Sequence, residues 1–431
     1  MDDQLMMGGT PWWRNVNMAK QEEAKAFFHS QRSQRSQRST TRPASPPPAS
    51  ASPPIPAAAA PTTQTPAVAR APVAPFSIVP QRRTELPAED AMEGGERLNI
   101  DMTRPEPPAW YNNIKLDQVR KAPRVPIGIE EHLSKITNGI RKCNDAVAKN
   151  MRPDPAEFTK INDGIHRAFF LDLSALTIRV KGLLHNDRGL PAIFNSGTVE
   201  YPWYIKEDAA ELYVKWWQKD TNPDLFRGIK LGRTKNAKLG RDSAVDSLDP
   251  KFKRRKGNVH GNNYLRIGQW WPTQLCAVRD GAHSATIAGI CGKTGEGAFS
   301  CVLSGGSYPN IDSGDEIWYY GTESDDPSRP TDATQHMIES SRTQIPVRVL
   351  RTSKMTTEGP NEYRPEAGMR YDGLYKVVDY VVKDVRKQIH LFHLVREPGQ
   401  GPIRYTGPEI RPTPEELESL GKSKFERLYL A

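Results

Sequence analysis

The chain has 431 residues, 37 of them proline, which allows two domains but excludes a compact fold throughout. Lys and Arg outnumber Asp and Glu by 60 to 51, so the net charge of +9 favours a polyanionic partner such as nucleic acid. The four cysteines, Cys143, Cys276, Cys291 and Cys301, lack metal-ligand or disulfide-framework spacing, and no apolar run approaches the roughly 18 residues of a membrane span; an intracellular chain without a membrane partner is expected.

Residues 1–105 are rich in Ser, Gln, Arg, Pro and Ala. Ser30-Gln-Arg-Ser-Gln-Arg-Ser-Gln-Arg-Ser39 repeats a basic triplet, and Pro alternates with Ala, Ser and Thr from Pro43 to Pro75. Such a composition buries too little apolar surface to offset the entropy of ordering, so a disordered arm is expected.

Residues 106–226 change period. Ile129, Leu133, Ile136, Ile140 and Val147 fall at helical spacing. Asp154-Pro-Ala-Glu157 supplies an N-cap, a proline for the first turn and an acid at the third position. Phe158, Ile161, Ile165 and Phe169 continue the stripe, as do Leu173, Leu176, Val180 and Leu183, and Ile205, Ala209, Leu212, Tyr213 and Trp216 give another helix. These residues predict a small helical bundle whose aromatics serve its core.

Residues 227–257 form a basic linker, with eleven lysines and arginines against three aspartates between Arg227 and Lys256. Lys251-Phe-Lys-Arg-Arg-Lys256 has the pattern of a nuclear address or a phosphate-contacting arm, which makes Lys251, Lys253, Arg254, Arg255 and Lys256 candidate backbone contacts. Gly228, Gly232, Gly240 and Gly257 predict a flexible segment.

From 258 to 412 the pattern is β-rich. Leu275-Cys-Ala-Val278, Thr286-Ile-Ala-Gly289, Ala298-Phe-Ser-Cys-Val-Leu303, Ile317-Trp-Tyr-Tyr320, Val347-Arg-Val-Leu350, Tyr375 to Val382 and Ile389 to Val395 read as strands separated by Gly, Asp and Pro turns. Thr334 to Arg342 reads as a helix packed on them, and Pro412-Thr-Pro-Glu-Glu as a helix start opening the tail 413–431. The class is α+β, with a curved sheet or open barrel and flanking helices.

Gly289 to Gly321, together with Pro346 to Leu350 and Arg370-Tyr-Asp-Gly-Leu-Tyr-Lys-Val-Val378, resembles the SRA (SET- and RING-associated, or YDG) domain, and Tyr213-Val-Lys-Trp-Trp217 is similar to segments that precede it in some fungal members. The resemblance implies a reader of methylated CpG duplexes that flips 5-methylcytosine into a pocket built from two stacking tyrosines and an edge-reading aspartate. Aligned without gaps, the first tyrosine falls on Ser307, the aspartate on Asn310, the second tyrosine on Tyr319 and the following threonine on Tyr320. Tyr308 sits one place late, and a shift at Gly306 is one way to bring its ring into the pocket; backbone groups of Ser304, Gly305 and Gly306 complete the set. An asparagine amide suits cytosine in one orientation and thymine in the other, so discrimination weakens by about 1 to 3 kcal/mol. The wedge just before Ala-Gly-Ile falls on Ile287, and the groove-reading loop falls on Ser328-Arg329, after Glu323-Ser-Asp-Asp-Pro327. Tyr371-Asp372-Gly373 matches the family signature and is read as structural, with Asp372 tying a turn.

No motif supports catalysis. The nine histidines are scattered, Glu23-Ala-Lys25 has no strand around it, and Gly292-Lys-Thr-Gly295 lacks the upstream glycine of a phosphate loop. No cofactor, metal or small-molecule substrate is expected. Two readings follow: a nuclear, non-catalytic binder of duplex DNA that inspects flipped cytosines, or a chromatin scaffold whose domain has lost base reading. A pocket open beside Tyr319 favours the first, and one filled by Tyr308 or Tyr320 the second.

Overall fold

The computed structural model describes residues 95–230, 234–236, 241–243, 246–306, 308–359 and 361–429. All of them belong to one compact unit, Val73–Ala431. The Arg triplets and the Pro/Ala tract lie outside the described residues. The last part of the expected arm departs from expectation, because Ile100 and Met102 are buried in the helical core. Burying such side chains is worth about 1.5–3 kcal/mol each, enough to hold a short polar stretch in place.

The first layer is helical. Helix α1 (Ile127–Ala148) buries Leu133, Ile136, Ile140 and Cys143, and α2 (Pro155–Ala168) opens on Asp154, whose side chain accepts from the Ala156 N–H at 2.9 Å. The two cross where glycine permits it. A Cβ on Gly139 would stand 2.4 Å from Ile161, and one on Gly164 would stand 2.9 Å from Ile136. A short α3 (Ala175–Val180) is capped by Ser174. Helix α4 (Trp203–Trp217) is buried on most of its circumference, and its buried face includes Asp208 and Glu211. A helix so enclosed must give its charges partners. It finds them in the second layer.

The linker between the layers is not wholly irregular. Ile229–Lys230 pairs with Ser247–Leu248, and Thr234–Asn236 with Arg241–Ser243, both antiparallel. Lys256 then enters the β-rich half.

Eight strands make the main sheet: β1 (Trp270–Trp271), β2 (Ile290–Lys293), β3 (Gly297–Leu303), β4 (Ile311–Asp312), β5 (Glu316–Tyr320), β6 (Val347–Thr352), β7 (Met369–Asp384) and β8 (Ile389–Arg396). Their order is β2-β3-β6-β7-β8-β5-β4, with β1 on the start of β7. Only β3 and β6 run parallel; the other pairs are antiparallel. Ile317, Tyr319, Val347, Val349, Tyr375, Phe392 and Leu394 share one buried cluster on the inner face.

Two expected strands are absent. Leu275 to Val278 lies in helix α5 (Gln274–Arg279), started by Thr273, whose Oγ accepts from the Cys276 N–H. A four-residue apolar run fits either structure, and the cap decides it. Thr286 to Gly289 is loop. The expected helix after Thr331 is present as α6 (Asp332–Thr343). The tail is more ordered than a tail: α7 (Pro414–Tyr429) starts with reciprocal bonds between Thr413 and Glu416 and buries Leu420 beside Trp270 and Tyr371.

Candidate nucleic-acid interface

The Tyr371-Asp372-Gly373 triplet lies inside strand β7, not in a turn. Opposite it the register slips between Val349 and Leu350, which leaves Asp372 without a direct partner on β6. Gly373 holds φ +113°, and a Cβ there would stand 2.5 Å from the Gln400 amide oxygen. The bulge turns the Asp372 side chain into the interior. There its carboxylate accepts from Arg370 at 2.6 Å and from Arg351 at 3.0 Å. Burial pushes this carboxyl up, but the two guanidiniums outweigh it and hold it below the usual range. Tyr371 donates to the Asn262 amide oxygen.

Arg351 carries the signature's influence to the lip of the sheet. Its other edge holds Asp312 at 2.7 and 2.8 Å and the Gly314 carbonyl at 2.7 Å, and Tyr375 donates to the same carbonyl at 2.8 Å. Asp312 and Gly314 form the turn from β4 to β5. The buried ion pairs therefore fix the hairpin that carries Asn310 on one side and, across from it, Tyr319 and Tyr320. Sequence reading missed Arg351, although an arginine inside the apolar run Val347-Arg-Val-Leu-Arg351 is a signal of a buried cation.

Asn310 is only 5% exposed. Its backbone N–H donates to the Thr356 carbonyl at 3.0 Å, and its carbonyl accepts from the Glu358 N–H at 3.0 Å. Its side-chain Oδ1 accepts from the Tyr320 N–H at 3.0 Å. The amide is thus anchored to the peptide joining Tyr319 and Tyr320. Tyr319 points inward, 6% exposed, and donates to the Val302 carbonyl at 3.4 Å; Gly289 lies against its hydroxyl, where a Cβ would stand 3.2 Å away. Burial pushes the Tyr319 phenol far up.

Tyr308 does not take the shifted pocket position. Neighbouring side chains in a strand alternate, so Tyr320 faces away from Tyr319, and Tyr308 stacks on Tyr320 with centroids 5.4 Å apart at 27°. Its hydroxyl donates to Glu323 at 2.8 Å. The two tyrosines pair outside the inner face. Ser307 lies outside the described residues. Ser304, Gly305 and Gly306 are exposed, and Thr356 braces them: its N–H donates to the Ser304 carbonyl and its hydroxyl accepts from the Gly306 N–H, each at 3.3 Å.

Ile287 is 90% exposed at the tip of the loop before β2. The base of that loop is held. Gln274 donates to the carbonyls of Ala285 and Ala288, both at 2.9 Å, and His283 joins the Ala288 carbonyl to Ser300 at 2.9 and 2.7 Å. Two residues on, Gly289 lies against Tyr319. A bare isoleucine thus stands on a fixed mount two residues before the glycine that lies against Tyr319. Arg329 is exposed, with Asp326 at 3.8 Å, and its neighbours Glu323, Asp325 and Asp326 are exposed acids.

The basic run divides. Lys251 and Lys253 are exposed, with Lys253 2.6 Å from Glu96, and Arg254 is half-buried. Arg255 and Lys256 are buried and are corrected as phosphate contacts. Arg255 bridges to the Glu96 backbone, and its guanidinium donates to the Asn263 carbonyl at 3.0 Å, while Asn263 donates to the Lys256 carbonyl at 2.8 Å. A side chain committed to the interior cannot reach a phosphate.

All four cysteines are free and buried. Among the described residues no group of three or more His, Cys, Asp and Glu side chains is placed to hold a metal, and no helix is long and apolar enough to cross a membrane.

The family model described as "SAD/SRA domain" matches residues 257–400. A UHRF1-like protein of Cryptococcus neoformans is 36% identical over 140 residues, covering 28% of this chain and 39% of the relative. The E3 ubiquitin-protein ligase UHRF1 of Danio rerio is 30% identical over 154 residues, covering 28% of this chain and 20% of the relative. The match therefore spans well under half the length of these relatives. Among solved structures, the SUVH5 SRA domain in complex with hemimethylated CG DNA is 25% identical over 34% of this chain and 97% of that one, with a TM-score of 0.27. The modification-dependent TagI restriction endonuclease is 31% identical over 31% of this chain and 50% of that one, with a TM-score of 0.26. The β-rich part of the chain, residues 257–400, is a SAD/SRA domain.

Proposed function

We propose that the SAD/SRA domain at residues 257–400 binds duplex DNA in the nucleus and tests a pyrimidine swung out of the stack, without catalysing a reaction. The observation that carries this reading is Ile287, 90% exposed on a loop fixed by Gln274 and His283. An apolar side chain presented on a rigid mount is of the kind that fills the gap left when a base leaves the stack. Tyr319, inward against Gly289, lines the inner face next to that loop, and Asn310 supplies a polar group across from it. Lys251, Lys253 and Arg254 supply phosphate contacts, which set affinity but not sequence. Arg329 is the one candidate groove contact in its loop, where the acids Glu323, Asp325 and Asp326 oppose phosphate.

A second reading has its own support. The Tyr308–Tyr320 stack and those acids leave the lip less suited to DNA, which favours a scaffold that binds chromatin proteins. The two readings separate on titration of the full chain with matched duplexes carrying unmethylated, hemimethylated and fully methylated CpG at several salt concentrations. Base-dependent affinity that survives added salt supports the reader. Equal, salt-erased binding to every duplex rejects it in favour of the scaffold.

A further inference from the structure

We infer that Asn310 makes this pocket select a pyrimidine with a carbonyl at position 4, thymine above all, over cytosine and 5-methylcytosine. The inference rests on the base-testing reading above and sharpens it. A backbone N–H can donate only to an oxygen, so the 3.0 Å bond from the Tyr320 N–H fixes which end of the Asn310 amide is Oδ1. The amide cannot turn over without setting two donors against each other. Both backbone groups of Asn310 are also bonded, so the residue does not swivel as a unit.

The remaining end is Nδ2. No hydrogen bond joins it to a described residue, and it is not among the buried side-chain atoms left without a partner, so it reaches solvent although the residue as a whole is 5% exposed. A donor that has no partner in the chain and reaches solvent is open to a ligand. An aspartate at this position would keep one oxygen on the Tyr320 N–H and offer the other as an acceptor, which suits the amino group of cytosine. Asn310 offers a donor instead. Placed against position 4, where the aspartate oxygen would meet the amino group, Nδ2 faces the exocyclic amino group of cytosine donor to donor and the 4-carbonyl of thymine donor to acceptor. Thymine also keeps the 5-methyl group of 5-methylcytosine, so the exchange alters only the edge. Thymine opposite guanine is the cheapest such base to flip, since the mismatch has already lost pairing energy.

The test uses the full chain and five otherwise identical duplexes with T·G, U·G, T·A, C·G and 5-methyl-C·G at the central pair, titrated by fluorescence anisotropy at two salt concentrations. The expected result is about tenfold tighter binding to T·G than to 5-methyl-C·G, retained in high salt. Asn310→Asp is expected to reverse the order. If 5-methyl-C·G binds as tightly as T·G or tighter, the assignment to Asn310 is overturned while base reading stands. If all five bind alike and salt removes the binding, base reading fails and this inference goes with it. Should Asn310→Asp fold poorly, the unmodified chain on the five duplexes decides alone.

Discussion

Asp208 on α4 and Arg404, beyond the last strand, meet in a two-point ion pair of 2.5 and 2.9 Å where the helical layer joins the sheet. Both are buried, and the pair anchors a larger set: Arg411 reaches Asp208 at 2.8 Å and Glu211 at 3.1 Å, and His166 lies 2.8 Å from Asp208. Removing one member of such a pair leaves a buried charge uncompensated. Asp208→Asn should lower stability by about 3–5 kcal/mol, read from the urea midpoint. A loss under about 1 kcal/mol would show that the seam is held by packing alone. By the same reasoning, a fragment beginning after residue 226 should fold poorly, because it keeps Arg404 and Arg411 and loses Asp208.

The acid limb of the stability curve follows. Arg404 and Arg411 outweigh the burial that pushes Asp208 up and hold its carboxyl well below the usual range, and Arg370 and Arg351 hold that of Asp372 below it. The unfolded chain therefore binds more protons than the folded one below the ordinary carboxylate value of about 3.9. Stability from these groups is fully present above that value and drains away as pH falls through the folded values. Thermal melts from pH 6 to pH 3 should show a steep acid loss, shallower in Asp208→Asn. Parallel curves for the two proteins would remove Asp208 from this account.

Periodic features were legible in the sequence because a single element dictates them. The stripe through Leu133, Ile136 and Ile140 could face only one core, and Asp154-Pro155 could only open a helix. Features set by long-range contact were not. Arg255 and Lys256 sit in a run that reads as solvated charge, and nothing local shows that Asn263, seven residues beyond Lys256, takes the Lys256 carbonyl. Tyr308 was legible as a ring near the pocket but not as the partner of Tyr320, since strand alternation decides its side. Thr273, an ordinary helix cap, was the overlooked signal that Leu275 to Val278 is helical.

Gly373→Ala tests the bulge. At φ +113° a side chain is strained, and the new methyl meets the Gln400 oxygen that accepts from the Leu374 N–H. A cost of about 1–3 kcal/mol is expected in thermal or chemical denaturation. Unchanged stability would mean that the bulge relaxes without loss and is not what aims Asp372 inward.

The division of the basic run makes opposite predictions for adjacent residues. Changing Lys251, Lys253 and Arg254 together to Gln should weaken binding to all duplexes alike, and should flatten the slope of log affinity against log salt by about 2 to 3. The melting temperature should stay the same. Arg255→Gln should instead lower the melting temperature, because the interior loses a buried donor to Asn263. If Arg255→Gln melts like the parent and flattens the salt slope, the buried assignment is wrong.

Ile287 offers the sharpest separation of stability from recognition. Its side chain contributes almost nothing to the fold at 90% exposure, so Ile287→Ala should leave stability within about 0.5 kcal/mol of the parent. Its loss should nonetheless reduce base-dependent binding, because an apolar side chain that fills the vacated stack stabilises only the flipped state. A duplex with 2-aminopurine beside the tested pair reports this directly, since its fluorescence rises when a neighbour unstacks. The parent chain should raise the signal and Ile287→Ala should raise it less, with non-specific affinity preserved. Ile287→Asp should abolish the rise, because a carboxylate in the stack is repelled by the flanking phosphates. If all three proteins give the same fluorescence, Ile287 is an exposed residue without a role in flipping, and the case for base reading rests on Tyr319 and Asn310 alone.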